Sequence, residues 1–182
     1  MKIAIVFILL SVPVVYFSRR TLLKFTSHGF YRFISWECIA WLTATSVWVW
    51  FDKPFSPPQL ISWSCLIYSI LVLILGVIQL RKMGKSSKER TDDTLYTFEK
   101  TTELVDTGIY KYIRHPLYSS LIFLTFGILF KNVNAINLIL AFISTICLFF
   151  TARFDEKECV TYFGDKYKEY MTRSKMFVPS IW

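Results

Sequence analysis

The sequence predicts an all-α, polytopic membrane protein with about five transmembrane helices and a C-terminal amphipathic cytoplasmic helix. The 182 residues are 54% hydrophobic and 18% aromatic, and their mean hydropathy is +0.43. A chain of this composition is too apolar for an ordinary soluble domain. Long uncharged runs alternate with short polar segments, and the basic residues are concentrated in some of those segments. Together these observations indicate a bundle of membrane helices.

Five apolar runs are candidates for the transmembrane helices. A bilayer core about 30 Å thick requires about 20 apolar residues per helix, and fewer where flanking side chains reach the interface. Asn132 and Asn134 leave only a tight turn between the last two runs, so residues 117–150 are predicted to form a helical hairpin. The five runs are residues 3–17, 33–51, 60–80, 117–130 and 133–150.

The distribution of charge predicts the orientation in the membrane. Of the 21 Lys and Arg residues, 18 lie in the first loop, in residues 81–114 or in the tail after residue 150. The positive-inside rule then places the N-terminus outside and the C-terminus in the cytoplasm. The net charge of +8 needs no nucleic-acid partner, because a basic surplus beside the membrane is usual in such proteins.

This topology divides the chain into two parts. Residues 1–80 are predicted to hold the first three transmembrane helices. Residues 81–182 are predicted to form a catalytic half, with a cytoplasmic loop, the helical hairpin and a cytoplasmic tail over residues 151–182. Apolar residues recur in the tail at spacings of three and four, which predicts an amphipathic helix at the membrane surface, bent at Gly164. Its apolar positions are Cys159, Val160, Phe163, Tyr167, Tyr170 and Met171.

The stretch most suggestive of chemistry is LVDTGIYKYIRHPLYS, residues 104–119. Gly108 permits a tight turn, and Pro116 suits the first turn of a helix, where its missing N–H costs nothing. The motif is therefore predicted to be a loop that leads into the fourth helix at the cytoplasmic face. The sequence signatures of the common soluble nucleotide-binding and hydrolytic enzymes are absent from the chain.

This motif and two later ones resemble the isoprenylcysteine carboxyl methyltransferase family and, more loosely, the phospholipid methyltransferases. The order and spacing of linked motifs are far more specific than Arg-His-Pro alone. The resemblance covers roughly the C-terminal half of the chain. It is carried by Gly108-x-Tyr110-x-x-x-Arg114-His115-Pro116-x-Tyr118, then Arg153-x-Asp155-Glu156, and then Phe163-Gly164-x-x-Tyr167-x-x-Tyr170.

The resemblance implies methyl transfer from S-adenosylmethionine (SAM), with no metal. The SAM would bind between the tail and residues 114–116, here called the R-H-P segment. It implies that Arg153 and Glu156 act at the methyl acceptor. Thr102 stands where many relatives have His, and Asp155 precedes Glu156 where they have a Glu-Glu pair. Residues implied to bind the cofactor are Thr102, Glu103, Leu104, Val105, Tyr110, Arg114, His115, Pro116 and Tyr118.

The chemistry of SAM is compatible with these residue types. Tyrosine faces can hold a methyl sulfonium with roughly 0.5 to 2 kcal/mol each, and Tyr110, Tyr112 and Tyr118 are candidates. Arg114 or a backbone N–H at the start of the fourth helix would suit the SAM carboxylate. The transfer is an in-line displacement, so positioning and exclusion of water dominate catalysis.

The sequence leaves the acceptor open. A lipophilic small molecule, a lipid or a prenylated acceptor is implied, and a carboxylate, a lipid amine or a small thiol would each fit. A carboxylate needs no base, whereas an amine must first lose a proton, to Glu156 or Glu37.

A membrane scaffold without catalytic activity is the alternative from another class of protein. Glu37, inside an apolar run, is either functional or paired with Arg32.

Overall fold

The computed structural model describes residues 1–19, 21, 28–84 and 101–179, and all structural statements refer to these ranges. They contain two short 3-10 turns, Val47–Val49 and Gly108–Lys111, and no β-strand within the described ranges. The all-helical class predicted from the sequence is confirmed. The α-helices are α1 Lys2–Ser18, α2 His28–Ser46, α3 Pro57–Met83, α4 Pro116–Leu129, α5 Ala135–Phe163 and α6 Asp165–Arg173.

Two of the helices, α3 and α5, are long and apolar enough to cross a membrane. They contain 27 and 29 residues, and their most apolar windows have mean hydropathies of 2.4 and 2.2. Only 28% of that window in α3 is buried, so most of its apolar side chains face outward, as they would toward lipid. α1 and α4 are shorter apolar helices, of 17 and 14 residues. Each predicted apolar run overlaps one helix, although residues 47–51 of the second run lie beyond the end of α2.

α2 and α5 pack antiparallel through polar side chains along their whole contact. His28 Nδ1 lies 3.0 Å from a carboxylate oxygen of Glu158. At the middle of the helices, the hydroxyl oxygens of Ser35 and Ser144 are 2.8 Å apart, and both side chains are buried. At the far end, the Asn137 amide donates to Thr45 Oγ1 at 3.2 Å. Hydroxyl and amide groups that bond across helices are typical of membrane bundles.

α3 and α4 pack antiparallel with a close approach of their backbones. Ser62 Oγ donates to the Gly127 carbonyl at 2.6 Å, and Ser69 Oγ donates to the Ser120 carbonyl at 2.7 Å. A Cβ atom at position 127 would lie 2.8 Å from the side chain of Leu66. The close contact therefore requires glycine there, as in other helix pairs that pack through small residues.

The turn between α4 and α5 is held by a buried lysine. Lys131 is 5% exposed, and its Nζ donates to Gln59 Oε1 at 2.7 Å. The same Nζ lies 3.2 Å from the centroid of the Trp63 ring and 5.2 Å from that of Trp50. Cation–π contacts and a hydrogen bond thus compensate for burial of the charge.

The substitution Lys131→Met is expected to lower the free energy of unfolding by about 1 to 3 kcal/mol. Methionine keeps the apolar stem, but it leaves the buried Gln59 side chain without its donor. The thermal unfolding midpoint of the detergent-purified protein measures the effect. Lys53→Met is the matched control, because Lys53 is exposed. Equal midpoints for the two variants would contradict this account of Lys131.

The first part of the predicted tail, residues 151–163, extends α5, and the helix then ends at a glycine. α5 extends to Phe163, and Gly164, with a φ of +62°, separates it from α6. Two residues of the predicted apolar surface face, Tyr167 and Tyr170, are instead buried in the protein, because they pack against the segment that precedes α4. Most of the predicted cytoplasmic loop, residues 85–100, lies outside the described residues.

Candidate active site

Backbone hydrogen bonds join the R-H-P segment to the C-terminal tail. Ile113 and Lys175 form an isolated parallel bridge. Lys175 N–H donates to the Tyr112 carbonyl at 3.0 Å, and Arg114 N–H donates to the Lys175 carbonyl at 2.7 Å. His115 N–H donates to the carbonyl of the next tail residue at 3.1 Å. These bonds join segments about 60 residues apart in sequence.

Side chains reinforce the same contact. Tyr170 OH donates to the Tyr110 carbonyl at 2.6 Å, and Ser119 Oγ, in the first turn of α4, donates to the Phe177 carbonyl at 2.8 Å. Gly108 begins the 3-10 turn with a φ of +61°, a region that favours glycine. The tail therefore closes over the motif that the sequence singled out.

The charged side chains at this contact surround one buried carboxylate, that of Glu156. Glu156 is 3% exposed and accepts hydrogen bonds from Arg114 Nε at 2.8 Å and from Arg153 Nη1 at 3.2 Å. Arg114 also donates to the carbonyls of Met171 and Ser174. Arg114 thus links α5 to the end of α6, and Glu156 holds it in place.

His115 lies between two carboxylates at the N-cap of α4. Its Nδ1 is 3.6 Å from Asp155 Oδ2, and its Nε2 is 3.5 Å from Glu156 Oε1. Burial by itself would lower the pKa of His115, but the two carboxylates outweigh that effect and raise the pKa above its ordinary value. Nε2 is buried and makes no hydrogen bond to the described residues, although it lies within ion-pair distance of Glu156.

The raised pKa of His115 predicts a pH dependence of stability. A group whose pKa is higher in the folded state contributes stability at pH values below its unfolded pKa, and this contribution is lost as the pH rises through the folded pKa. His115→Gln should therefore have a flatter dependence of the unfolding midpoint on pH than the wild type between about pH 6 and 8. Parallel curves for the two proteins would contradict the ion pairing of His115.

A cavity opens beside His115. Its lining contains seven of the nine predicted cofactor residues: Leu104, Val105, Tyr110, Arg114, His115, Pro116 and Tyr118. Thr102 and Glu103 are not in this lining, because their N–H groups turn toward the Gly84 carbonyl, at 3.0 and 3.5 Å. Thr101 lines the cavity in their place.

The tail supplies an aromatic wall that was not among the predicted site residues. Phe163, Tyr167 and Tyr170 line the cavity, and burial raises the pKa of both tyrosines, so their phenols are neutral. Their spacing in the third motif was the available signal, although it also suits a surface helix. Tyr112, a candidate for the sulfonium, is 58% exposed and lies outside the lining.

The two predicted catalytic residues differ in exposure. Glu156 is buried behind Arg114 and His115, whereas the side chain of Arg153 is 51% exposed.

His28, for which the sequence indicated no partner, is fully buried and bonded to Glu158 on α5. A lone histidine before an apolar run carries no signal of such a partner, because the two residues are 130 positions apart.

An all-helical bundle with membrane-length helices and an aromatic cavity at one end is compatible with the membrane methyltransferases. Residues 60–166 match the model of the phospholipid methyltransferase family. The match covers more than half of the chain, and the chain belongs to this family. The resemblance drawn from the three motifs is thereby confirmed.

Individual relatives are similar at low identity. The chain is 31% identical over 118 residues to protein-S-isoprenylcysteine O-methyltransferase B of Arabidopsis thaliana, which covers 63% of the chain and 59% of that protein. It is 31% identical over 71 residues to methanethiol S-methyltransferase 1 of Bradyrhizobium diazoefficiens, which covers 39% of the chain and 24% of that protein. The chain therefore spans less than two thirds of the length of either relative. No solved structure matches it significantly.

Proposed function

We propose that the protein is an integral membrane methyltransferase that transfers a methyl group from SAM to a lipophilic acceptor. The observation that carries this proposal is the cavity between the R-H-P segment and the tail. It combines an aromatic wall with a buried histidine nitrogen that has no hydrogen-bond partner among the described residues. Membership of a methyltransferase family supports the same reaction.

The lining fits SAM chemically. Bound SAM would supply a methyl group on a positively charged sulfur. The faces of Tyr110, Tyr118 and Tyr167 can attract such a cation with roughly 0.5 to 2 kcal/mol each. The His115 side chain contributes a polar group to the lining, and the apolar side chains of Leu104 and Val105 line it beside Tyr110. An aromatic, largely apolar site of this kind favours a displacement that depends on orientation.

Arg114 and Glu156 serve in this proposal to hold the site together. The Nε and Nη1 of Arg114 already donate to Glu156 and to two tail carbonyls, so its main role is to order the tail over the cofactor. Arg153, bonded to the other oxygen of Glu156, is half exposed. It remains the candidate for contact with the methyl acceptor, with Glu156 holding it in position.

The proposed topology has five transmembrane helices, an outside N-terminus and a cytoplasmic active site. Four apolar helices, α1, α3, α4 and α5, support it, and α2 contains most of the predicted apolar run over residues 33–51. Basic residues of the described ranges near the cavity, such as Arg114 and Arg153, support the cytoplasmic side. In this arrangement the water-soluble donor reaches the cavity from the cytoplasm. The acceptor arrives through the lipid, between helices.

Methyl transfer is tested with SAM labelled with tritium in its methyl group. The purified protein in lipid nanodiscs is incubated with carboxylate, amine and thiol amphiphiles, and label is measured in the extracted lipids. Base treatment identifies the product, because methyl esters release methanol whereas methylated amines and thioethers do not. Arg153→Ala should lower turnover more than SAM binding. A folded protein that binds SAM and labels none of the acceptors would favour the scaffold.

A further inference from the structure

A buried histidine joins the first turn of α2 to the part of α5 that extends over residues 151–163. His28, the first residue of α2, is fully buried, and its Nδ1 lies 3.0 Å from Glu158 Oε1. The other carboxylate oxygen of Glu158 is buried and has no hydrogen-bond partner among the described residues. A buried carboxylate oxygen without a partner is costly. Within the described ranges, the Glu158 side chain therefore depends on His28.

The same turn of α5 carries two carboxylates of the candidate site. Asp155 and Glu156 lie 3.6 and 3.5 Å from the ring nitrogens of His115. An α-helix turns by about 100° per residue, so Asp155 lies about 60° around the helix from Glu158, and Glu156 lies on nearly the opposite face. His28 and His115 therefore contact one helical turn from two sides.

Asp155 lies between the two histidines and interacts with both. Its carboxylate is 3.6 Å from His115 Nδ1 and lines the cofactor cavity, and its negative charge also acts on His28. Charges in a buried cluster are weakly screened. A change at His28 therefore alters the charge environment at the wall of the cavity, although His28 does not line it.

Other contacts hold α2 against α5 in the absence of the His28 bond. The Tyr31 ring stacks on that of Phe154, with the centroids 5.4 Å apart and the planes inclined by 13°. The hydroxyl oxygens of Ser35 and Ser144 are 2.8 Å apart in the buried interface. Loss of the His28 bond should therefore leave the two helices packed and affect mainly the rotation of α5 about its axis.

From this juxtaposition we infer that His28 is a positioning residue of the cofactor site, acting through Glu158. The bond between the two fixes the rotation of the α5 turn, and that rotation presents Asp155 and Glu156 to His115. The inference rests on the proposed methyltransferase function. His28 itself touches neither SAM nor the acceptor, and its loss changes the orientation of the carboxylates around His115.

The first test compares two substitutions of His28 by calorimetric titration of S-adenosylhomocysteine into the protein in nanodiscs. His28→Leu keeps an apolar side chain but loses the bond to Glu158, and it should weaken binding about tenfold, that is by about 1.4 kcal/mol. His28→Asn can place an amide N–H near the position of the imidazole Nδ1, so it should restore most of the affinity. Equal binding by His28→Leu and the wild type, or equal losses in the two variants, would overturn the inference.

Ser35→Ala is the matched control, because it removes a bond from the same helix interface and Ser35 does not line the cavity. It should leave binding of S-adenosylhomocysteine unchanged. Weakening as large as that in His28→Leu would assign the effect to general loosening of the interface and overturn the inference. If the folded wild type does not bind S-adenosylhomocysteine, the methyltransferase proposal is overturned. Normal binding by both the wild type and His28→Leu overturns only the role of His28.

The second test is a spectroscopic measurement that needs no ligand. The chain has two histidines, so the ring nitrogens of His115 give the only histidine side-chain signals in His28→Leu that is labelled with nitrogen-15 histidine and purified without a histidine tag. We expect these NMR signals to shift from their wild-type positions in His28→Leu and to keep those positions in Ser35→Ala. Unchanged His115 signals in His28→Leu would overturn the positioning role, even if that variant bound S-adenosylhomocysteine weakly.

Discussion

Replacement of Glu156 by alanine is expected to abolish SAM binding and to lower the free energy of unfolding by about 3 to 5 kcal/mol. Glu156 is the buried acceptor for Arg114 and Arg153. Without it, the nearly buried guanidinium of Arg114 loses its carboxylate partner and keeps only the two tail carbonyls. The charged link between Arg114 and α5 is lost. Thermal unfolding and calorimetric titration of SAM measure the two effects separately.

Two further variants make this prediction specific. Glu156→Gln keeps the side-chain volume and one acceptor oxygen, so it should destabilise the protein less than alanine does. Glu169→Ala removes an exposed carboxylate from α6 and should leave both stability and binding close to those of the wild type. If Glu156→Ala bound SAM and unfolded like the Glu169 variant, the buried charge cluster would have no role in the site.

Replacement of Lys175 by proline is expected to weaken SAM binding by at least about tenfold while the helical content stays unchanged. Proline removes the N–H that donates to the Tyr112 carbonyl. The bridge between the tail and the R-H-P segment then opens beside the cavity. Circular dichroism and calorimetry test the two parts of this prediction.

Lys175→Ala provides the control for the proline variant. The side chain of Lys175 is exposed, and alanine retains the N–H, so the bridge should persist and SAM should bind normally. Equal loss of binding in both variants would assign the effect to the lysine side chain. Normal binding in both would show that the backbone bridge is not required for the cofactor site.

The helices could be predicted from the sequence because their signal is local. A long apolar run identifies its own helix, and each of the five predicted runs overlaps one helix in the structure. The tail was harder to interpret. The spacing of Tyr167 and Tyr170 suits a helix at a membrane surface equally well, and only the packing of the tail on the R-H-P segment shows that they are buried.

The candidate site was predictable where motif residues supply their own side chains. Tyr110, His115 and Tyr118, which the motifs predicted to bind the cofactor, line one cavity. Contacts made through the backbone left no signature in the sequence, because a carbonyl group can accept from any donor that the fold brings near. Thr102 and Glu103 were displaced from the cavity by such bonds to Gly84. His28 acquires its partner, Glu158, only when α2 is placed against α5.

Calorimetric titration of SAM and of S-adenosylhomocysteine into the detergent-purified protein tests the central claim most directly. We expect saturable binding with Kd values in the micromolar range, lost in His115→Ala because that residue lines the cavity. Tyr112→Ala is the control, since Tyr112 is exposed outside the lining, and it should bind both ligands normally. Absence of heat for either ligand with folded wild-type protein, or equal binding by the His115 variant, would contradict the assignment of this cavity to SAM.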